Sequence, residues 1–199
     1  MSGCGCDIEI KDKSESRVLL ILLAINGFMF FVEFSIGWWS QSTALIADAL
    51  DMLADAMVYG VGLYAVGKAM SIKLRAATIS GWLQIFLGLL VLADILRRFI
   101  YGSEPVSELM MAIGFVALIA NVTCLVLISK HRNGEVHMRA SWIFSKNDVI
   151  ANVGVIIAGG LVALTSSRYP DLIIGLIVAM VVIRGGVHIL GEAVLDTKT

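Results

Sequence analysis

Ala44-Leu45-Ile46-Ala47-Asp48-Ala49-Leu50-Asp51-Met52-Leu53-Ala54-Asp55 places three aspartates within eight residues of an otherwise apolar run. Flanked by further apolar residues, the run predicts a membrane-spanning helix over Thr43–Gly67, since a span needs about 20 mostly apolar residues. Asp51 and Asp55 are four apart and lie on one face, one turn from each other. Asp48 stands three before Asp51 and seven before Asp55, so the three form one stripe. Three anions on one stripe in a low-dielectric setting cannot all stay charged without a partner. Either protons neutralise some of them or a cation binds between them. The plainer alternative is that hydroxyls, amides and water within a helix bundle satisfy them, and Asp48 in particular reads as a hydrogen-bonding group that shapes the helix.

Five more stretches of the same kind surround this one: roughly Val18–Trp39, Ala77–Tyr101, Leu109–Ser129, Ser141–Thr165 and Leu172–Leu190. Of the 199 residues, 58% are hydrophobic and 16% charged, and the mean hydropathy is +0.89. A soluble domain needs more surface charge than that. The first stretch is too long for a signal peptide and has no small-residue cleavage site before the next, so it counts as a span. The expected fold is all-α: a six-transmembrane-helix bundle over 18–190, preceded by an N-terminal segment 1–17 and followed by a short tail 191–199. Lys11, Lys13, Arg17, Lys68, Lys73, Arg75, Lys130, Arg132 and Arg139 gather on one side; Arg97, Arg98 and Arg168 fall on the other. Basic residues concentrate in cytoplasmic loops, so both termini are expected in the cytoplasm. Trp38, Trp39, Trp82 and Trp142 lie near predicted span ends, as interface anchors do.

The fifth span supplies a complement to the second. Asp148 and Asn152 are again four apart on one face, so if the two spans touch, Asp51, Asp55, Asp148 and Asn152 surround one ion. The donors are all oxygen, which suits hard or borderline divalent cations. Asn26 and Glu33 share a face of span one; a polar contact between helices is the simpler reading for them and for Asn121. Asp94 stands three and four residues before Arg97 and Arg98, which reads as a local salt bridge. His131 and His137 fall in a polar loop. Arg184 and His188 are four apart in span six, where snorkelling to the interface explains them. Gly159-Gly160 and Gly185-Gly186 fit close helix packing. Cys4 and Cys6 form a Cys-Gly-Cys pair that either catches a soft metal ion or sits as two inert thiols. No Ser-His or Cys-His set and no two-His zinc motif appears in the spans, so an enzyme is not expected.

The run Asn26…Phe30…Glu33…Gly37…Ser40…Ser42…Ala44-Leu45…Ala47-Asp48-Ala49…Asp51-Met52-Leu53…Asp55, with Pro105-Val106, Gly114…Asn121 and Asp148…Val153-Gly154-Val155, resembles the cation diffusion facilitator family. The resemblance runs from about Val18 to Asp196. It implies six helices with both termini inside, a homodimer in a bacterial inner membrane, and export of zinc or a related divalent metal (manganese, iron or cobalt) in exchange for protons. The metal is then a transported substrate; no prosthetic group and no nucleic acid are implied. Metal ligands carried over from the family's spans two and five are Asp51, Asp55 and Asp148. The sequence departs from the family in several places. Phe144 stands where the family places a His, four residues before the span-five Asp. Lys146 stands two before Asp148. The linker between spans two and three is short, without the family's His and Gly residues. The soluble metal-binding domain that usually follows span six has no counterpart in these 199 residues. The alternative reading these departures favour is a non-transporting membrane subunit or regulator with a degenerate cation site.

Overall fold

A computed structural model of the chain describes residues 4–65, 70–130 and 136–196, with side chains described for 16–64, 75, 78–130, 142 and 145–191. Within these the chain is six α-helices and no strand: α1 Cys4–Trp39, α2 Thr43–Ala65, α3 Met70–Tyr101, α4 Ser107–Ser129, α5 Val136–Thr165 and α6 Tyr169–Asp196. Five of them contain stretches long and apolar enough to cross a membrane: Ser16–Trp39, Thr78–Tyr101, Ser107–Ser129, Ser145–Thr165 and Tyr169–Gly191. Only 28–33% of each apolar stretch is buried within the protein, so its hydrophobic surface faces outward, as lipid requires. Phe28, Phe31, Trp38, Trp39 and Trp82 are among the exposed side chains. The protein is a multi-pass membrane protein.

α2 has 23 residues, ample for a span, but its three aspartates set it apart in composition. Its place explains how it tolerates them. It touches α1, α3, α5 and α6. Ile46, Ala47 and Leu50 pack on Leu87 and Val91 of α3 and on Val178, Ala179 and Val182 of α6. Ala44 and Leu45 pack on Met110 of α4 and on Val155, Ala158 and Val162 of α5. Tyr59 joins Leu19 and Leu22 of α1 and Cys124 and Ile128 of α4. Lipid tails are as apolar as Leu, so close packing and interhelical hydrogen bonds hold such helices together. The small residues Ala44, Ala47, Ala49, Ala54 and Ala56, all buried, allow that approach.

The helices pair closely as α1 with α2, α4 with α5 and α3 with α6. The last pair meets backbone to backbone. A Cβ on Gly81 would stand 2.9 Å from the Gly186 carbonyl oxygen, and one on Gly186 2.7 Å from that of Gly81. The glycine pair in span six, Gly185-Gly186, thus packs against α3.

Apart from α2, whose expected end at Gly67 lies outside the described residues, every helix outruns or meets the edges expected from hydropathy. α1 starts at Cys4, and α3 and α5 begin at Met70 and Val136, before their apolar stretches. Helical hydrogen bonding does not end where the bilayer does. The side chains of Cys4 and Cys6 lie outside those described, as do residues 131–135 with His131, and the side chains of His137 and Phe144.

Candidate metal centre

α2 and α5 touch, and the contact brings three carboxylates together. One oxygen from each of Asp51, Asp55 and Asp148 lies within 4.8 Å of the other two. All three residues are buried, Asp55 the deepest at 2% exposure against 7% and 6% for Asp51 and Asp148. Asp55 accepts a hydrogen bond from the Tyr59 hydroxyl at 2.9 Å, and that hydroxyl stands 3.1 Å from Ser145 Oγ. Oxygens held at about 2.1 Å by one small cation stand at most about 4.2 Å apart. Modest side-chain rotation therefore closes this cluster on an ion.

Asp48 and Asn152 take a different place. The Asn152 amide donates to Asp48 Oδ2 at 2.6 Å, while its own oxygen accepts from Asn121 Nδ2 at 3.0 Å. These three residues form a chain from α2 through α5 to α4. Near its α2 end Glu33 is buried close to Asp48. Both Glu33 carboxyl oxygens are buried without a hydrogen-bond partner. Asn26 donates to the Leu22 carbonyl at 2.9 Å and to Cys124 Sγ at 3.7 Å.

A cavity of about 340 Å³ reaches Asp51 and Asp148 from between α3, α5 and α6. Gln84 and Asn147 line it, and the exposed Arg184 and His188 stand on its wall. Lys146 is exposed, and among the described residues it makes no ion pair with the aspartates.

At the other end of α2 a second carboxylate is buried. Asp171, fully buried at the start of α6, accepts from Ser42 Oγ at 2.6 Å, Thr43 N at 2.7 Å and Ala44 N at 3.0 Å. Ser42 Oγ in turn accepts from Leu45 N at 3.1 Å, a side-chain N-cap. Asp171 satisfies backbone N–H groups that a helix start leaves without partners, and its charge suits the positive helix end. Nearby, Arg98 donates to Asp94 Oδ2 at 2.5 Å and to the Gln41 carbonyl, while Arg97 also pairs with Asp94 at 2.7 Å. The local salt bridge expected for Asp94 is present. Four residues of these networks escape a reading of the sequence: Tyr59, Ser145, Gln84 and Asp171. A lone amide within Trp82-Leu83-Gln84-Ile85-Phe86 was the one available signal for Gln84. Asp171 offers none beyond an acid in a first helical turn.

Residues 19–196 match the family described as the cation efflux transmembrane domain. The zinc transporter ZitB of Yersinia pestis is 27% identical over 194 residues, a stretch that covers 90% of this chain and 62% of ZitB. The cadmium, cobalt and zinc/H(+)-K(+) antiporter of Bacillus subtilis is 24% identical over 196 residues, with 91% and 63% covered. The metal cation efflux system protein CzcD of Cupriavidus metallidurans is 22% identical over 199 residues, with 90% and 63% covered. The chain thus spans somewhat less than two thirds of the length of these relatives. The matched residues take in all three clustered aspartates and nearly all of the six-helix bundle, and the chain belongs to the cation efflux family through its transmembrane domain.

Proposed function

We propose that this chain carries a divalent metal cation out of the cytoplasm in exchange for protons, with Asp51, Asp55 and Asp148 holding the ion. The observation that carries the reading is the convergence of three carboxylates from two helices within 4.8 Å, beside a cavity that reaches two of them. Ionisable side chains inside a membrane are expensive and mark ion paths. The names of the relatives, which include zinc, cadmium and cobalt among their cargoes and H(+) among the exchanged ions, point the same way. Carboxylates must shed protons to bind a cation, so metal and protons compete for the same oxygens. Inward and outward states alternating around this site give exchange without a separate proton site. An all-oxygen set suits manganese and ferrous iron, and cobalt and zinc at a cost in affinity. The membrane is a bacterial inner membrane, both termini are cytoplasmic, and the working unit is a homodimer.

The regulator reading drew on Phe144, Lys146 and the lack of a counterpart to the soluble domain, with the aspartates holding either a structural ion or a Lys146–Asp pair. The exposed position of Lys146 speaks against the Lys146–Asp pair, and flux decides between a transported and a structural ion. The deciding experiment reconstitutes the protein into liposomes with a pH-sensitive dye inside and offers manganese, cobalt, zinc and cadmium in turn. Transport predicts metal-driven proton movement that Asp51→Asn abolishes. Metal binding without any flux would return the regulator reading. Topology is checked by labelling single cysteines at Ser103 and Ser71, which should be reachable from opposite sides.

A further inference from the structure

Gln84 lies mid-helix in α3, where an amide has no hydrophobic reason to be. It is 2% exposed, and its Oε1 is buried without a hydrogen-bond partner. Buried polar atoms are overwhelmingly paired, and an orphan calls for a specific cause such as an ion or water. Here the surroundings supply one. Gln84 lines the same cavity as Asp51 and Asp148. Its position is set by the close seam of α3 on α6: a Cβ on Gly186 would stand 3.1 Å from Gln84 Cβ, and one on Gly185 would stand 3.4 Å from Oε1 itself. Two glycines of α6 therefore make room for this side chain beside the carboxylates. The three aspartates come from α2 and α5, so Gln84 adds an uncharged oxygen from a further helix, α3.

We propose that Gln84 is a specificity-determining ligand whose amide oxygen completes, with Asp51 and Asp148, the shell of a divalent cation entering from the cavity. This rests on the cation site proposed above. A neutral carbonyl oxygen adds a donor without adding charge. It suits cations that accept carbonyl oxygen readily, manganese above all, and offers less to zinc, which gains more from nitrogen or sulfur donors. Gln84 thereby biases the site toward manganese over zinc.

The test is calorimetric titration of the detergent-solubilised full chain with manganese and, separately, with zinc. Gln84→Leu keeps much of the side-chain volume and removes the oxygen; manganese affinity should fall about tenfold and zinc affinity clearly less. Gln84→His puts nitrogen at the same place and should move the zinc-to-manganese affinity ratio about tenfold toward zinc. That ratio is the reading that matters, because a purely structural role for Gln84 would weaken both metals alike. Equal losses for both metals, or affinities within twofold of the original in both variants, overturn the proposal. Should Gln84→Leu fail to fold, the ratio in Gln84→His decides alone. Asp51→Asn runs alongside: if it abolishes binding while the Gln84 variants leave the ratio unchanged, the aspartate site stands and Gln84 is no ligand. If the unaltered chain binds neither metal, the aspartate site fails and the Gln84 proposal fails with it.

Discussion

Two carboxylate sites sit on α2, and both are deeply buried. At its start, Asp171 receives three hydrogen bonds, from Ser42 Oγ and the Thr43 and Ala44 N–H groups. Further along, the Tyr59 hydroxyl donates to Asp55, and Asp51 and Asp148 each bring a carboxyl oxygen within 4.8 Å of an Asp55 oxygen. Burial does not separate the two, since Asp171 is at 0% exposure and Asp55 at 2%. What separates them is satisfaction. A buried carboxylate with a full set of donors is a piece of architecture, and removing it leaves other buried groups unpaired. Three carboxylates crowded together repel one another until protons or a cation come between them. The first site holds α6 to the start of α2; the second uses the helix so held.

The largest effect that would break this contrast is on metal affinity. Asp51→Asn or Asp148→Asn should weaken divalent cation binding at least 100-fold, roughly 3 kcal/mol, read by calorimetry. The same variants should fold as well as the unaltered chain or better, because each relieves like-charge repulsion. A marked loss of thermal stability in either would mean that the cluster is architectural after all.

Asp171→Ala should behave the opposite way. It removes a cap and strands two backbone N–H groups and a hydroxyl, at a cost of about 2 kcal/mol. The thermal midpoint in detergent should drop by several degrees while the folded fraction binds metal as before. If metal affinity fell with stability in step, the two ends of α2 would not be separable functions.

How much of this contrast is legible in the sequence depends on the range of the contact. Hydropathy outlines the bundle, and the i, i+4 spacings of Asp51 with Asp55 and of Asp148 with Asn152 point at the two faces that meet. The stripe drawn through Asp48, Asp51 and Asp55 hides axial distance, however. Seven residues at about 1.5 Å each put Asp48 some two turns from Asp55, and there it accepts a hydrogen bond from Asn152. The Asp148–Asn152 pair splits for the same reason, one residue joining each group. Asp171 meets Ser42 across 129 positions, and nothing local in Tyr169-Pro170-Asp171 announces that. Gln84 depends on glycines of another helix to reach the cavity. Helix faces can be read from periodicity; which faces meet, and at what depth, comes from packing.

A smaller effect sharpens the picture of the carboxylate cluster. Each carboxylate that binds metal must first be deprotonated. Affinity therefore rises with pH and falls as pH drops, by up to about tenfold per pH unit for each proton displaced. Calorimetry in buffers of different ionisation enthalpy should count those protons. A value of zero between mildly acidic and mildly basic conditions would separate metal binding from proton exchange. Asp171→Ala should leave that count unchanged.

Lys146 should matter least, and for that reason it tests the contrast most finely. Two residues before Asp148, it is the nearest cation in sequence to the cluster, and pairing with an aspartate would turn the site into a satisfied, architectural one like that of Asp171. Instead the side chain is exposed at the start of the apolar stretch Ser145–Thr165. A long cationic side chain there reaches the interface with its charge and leaves its stem against the helix. Solvent screens such a charge, and exposed pairs contribute about 0–1 kcal/mol at most. Lys146→Ala should therefore change metal affinity by about twofold or less, slightly upward because a repelling cation is gone, and should leave the proton count alone. Calorimetry at low and at moderate salt checks this, since a residual through-space repulsion fades as salt rises. A tenfold gain in affinity with a changed proton count would show that Lys146 does occupy the cluster in the membrane. The aspartates would then be a satisfied site, and the distinction between the two ends of α2 would fall.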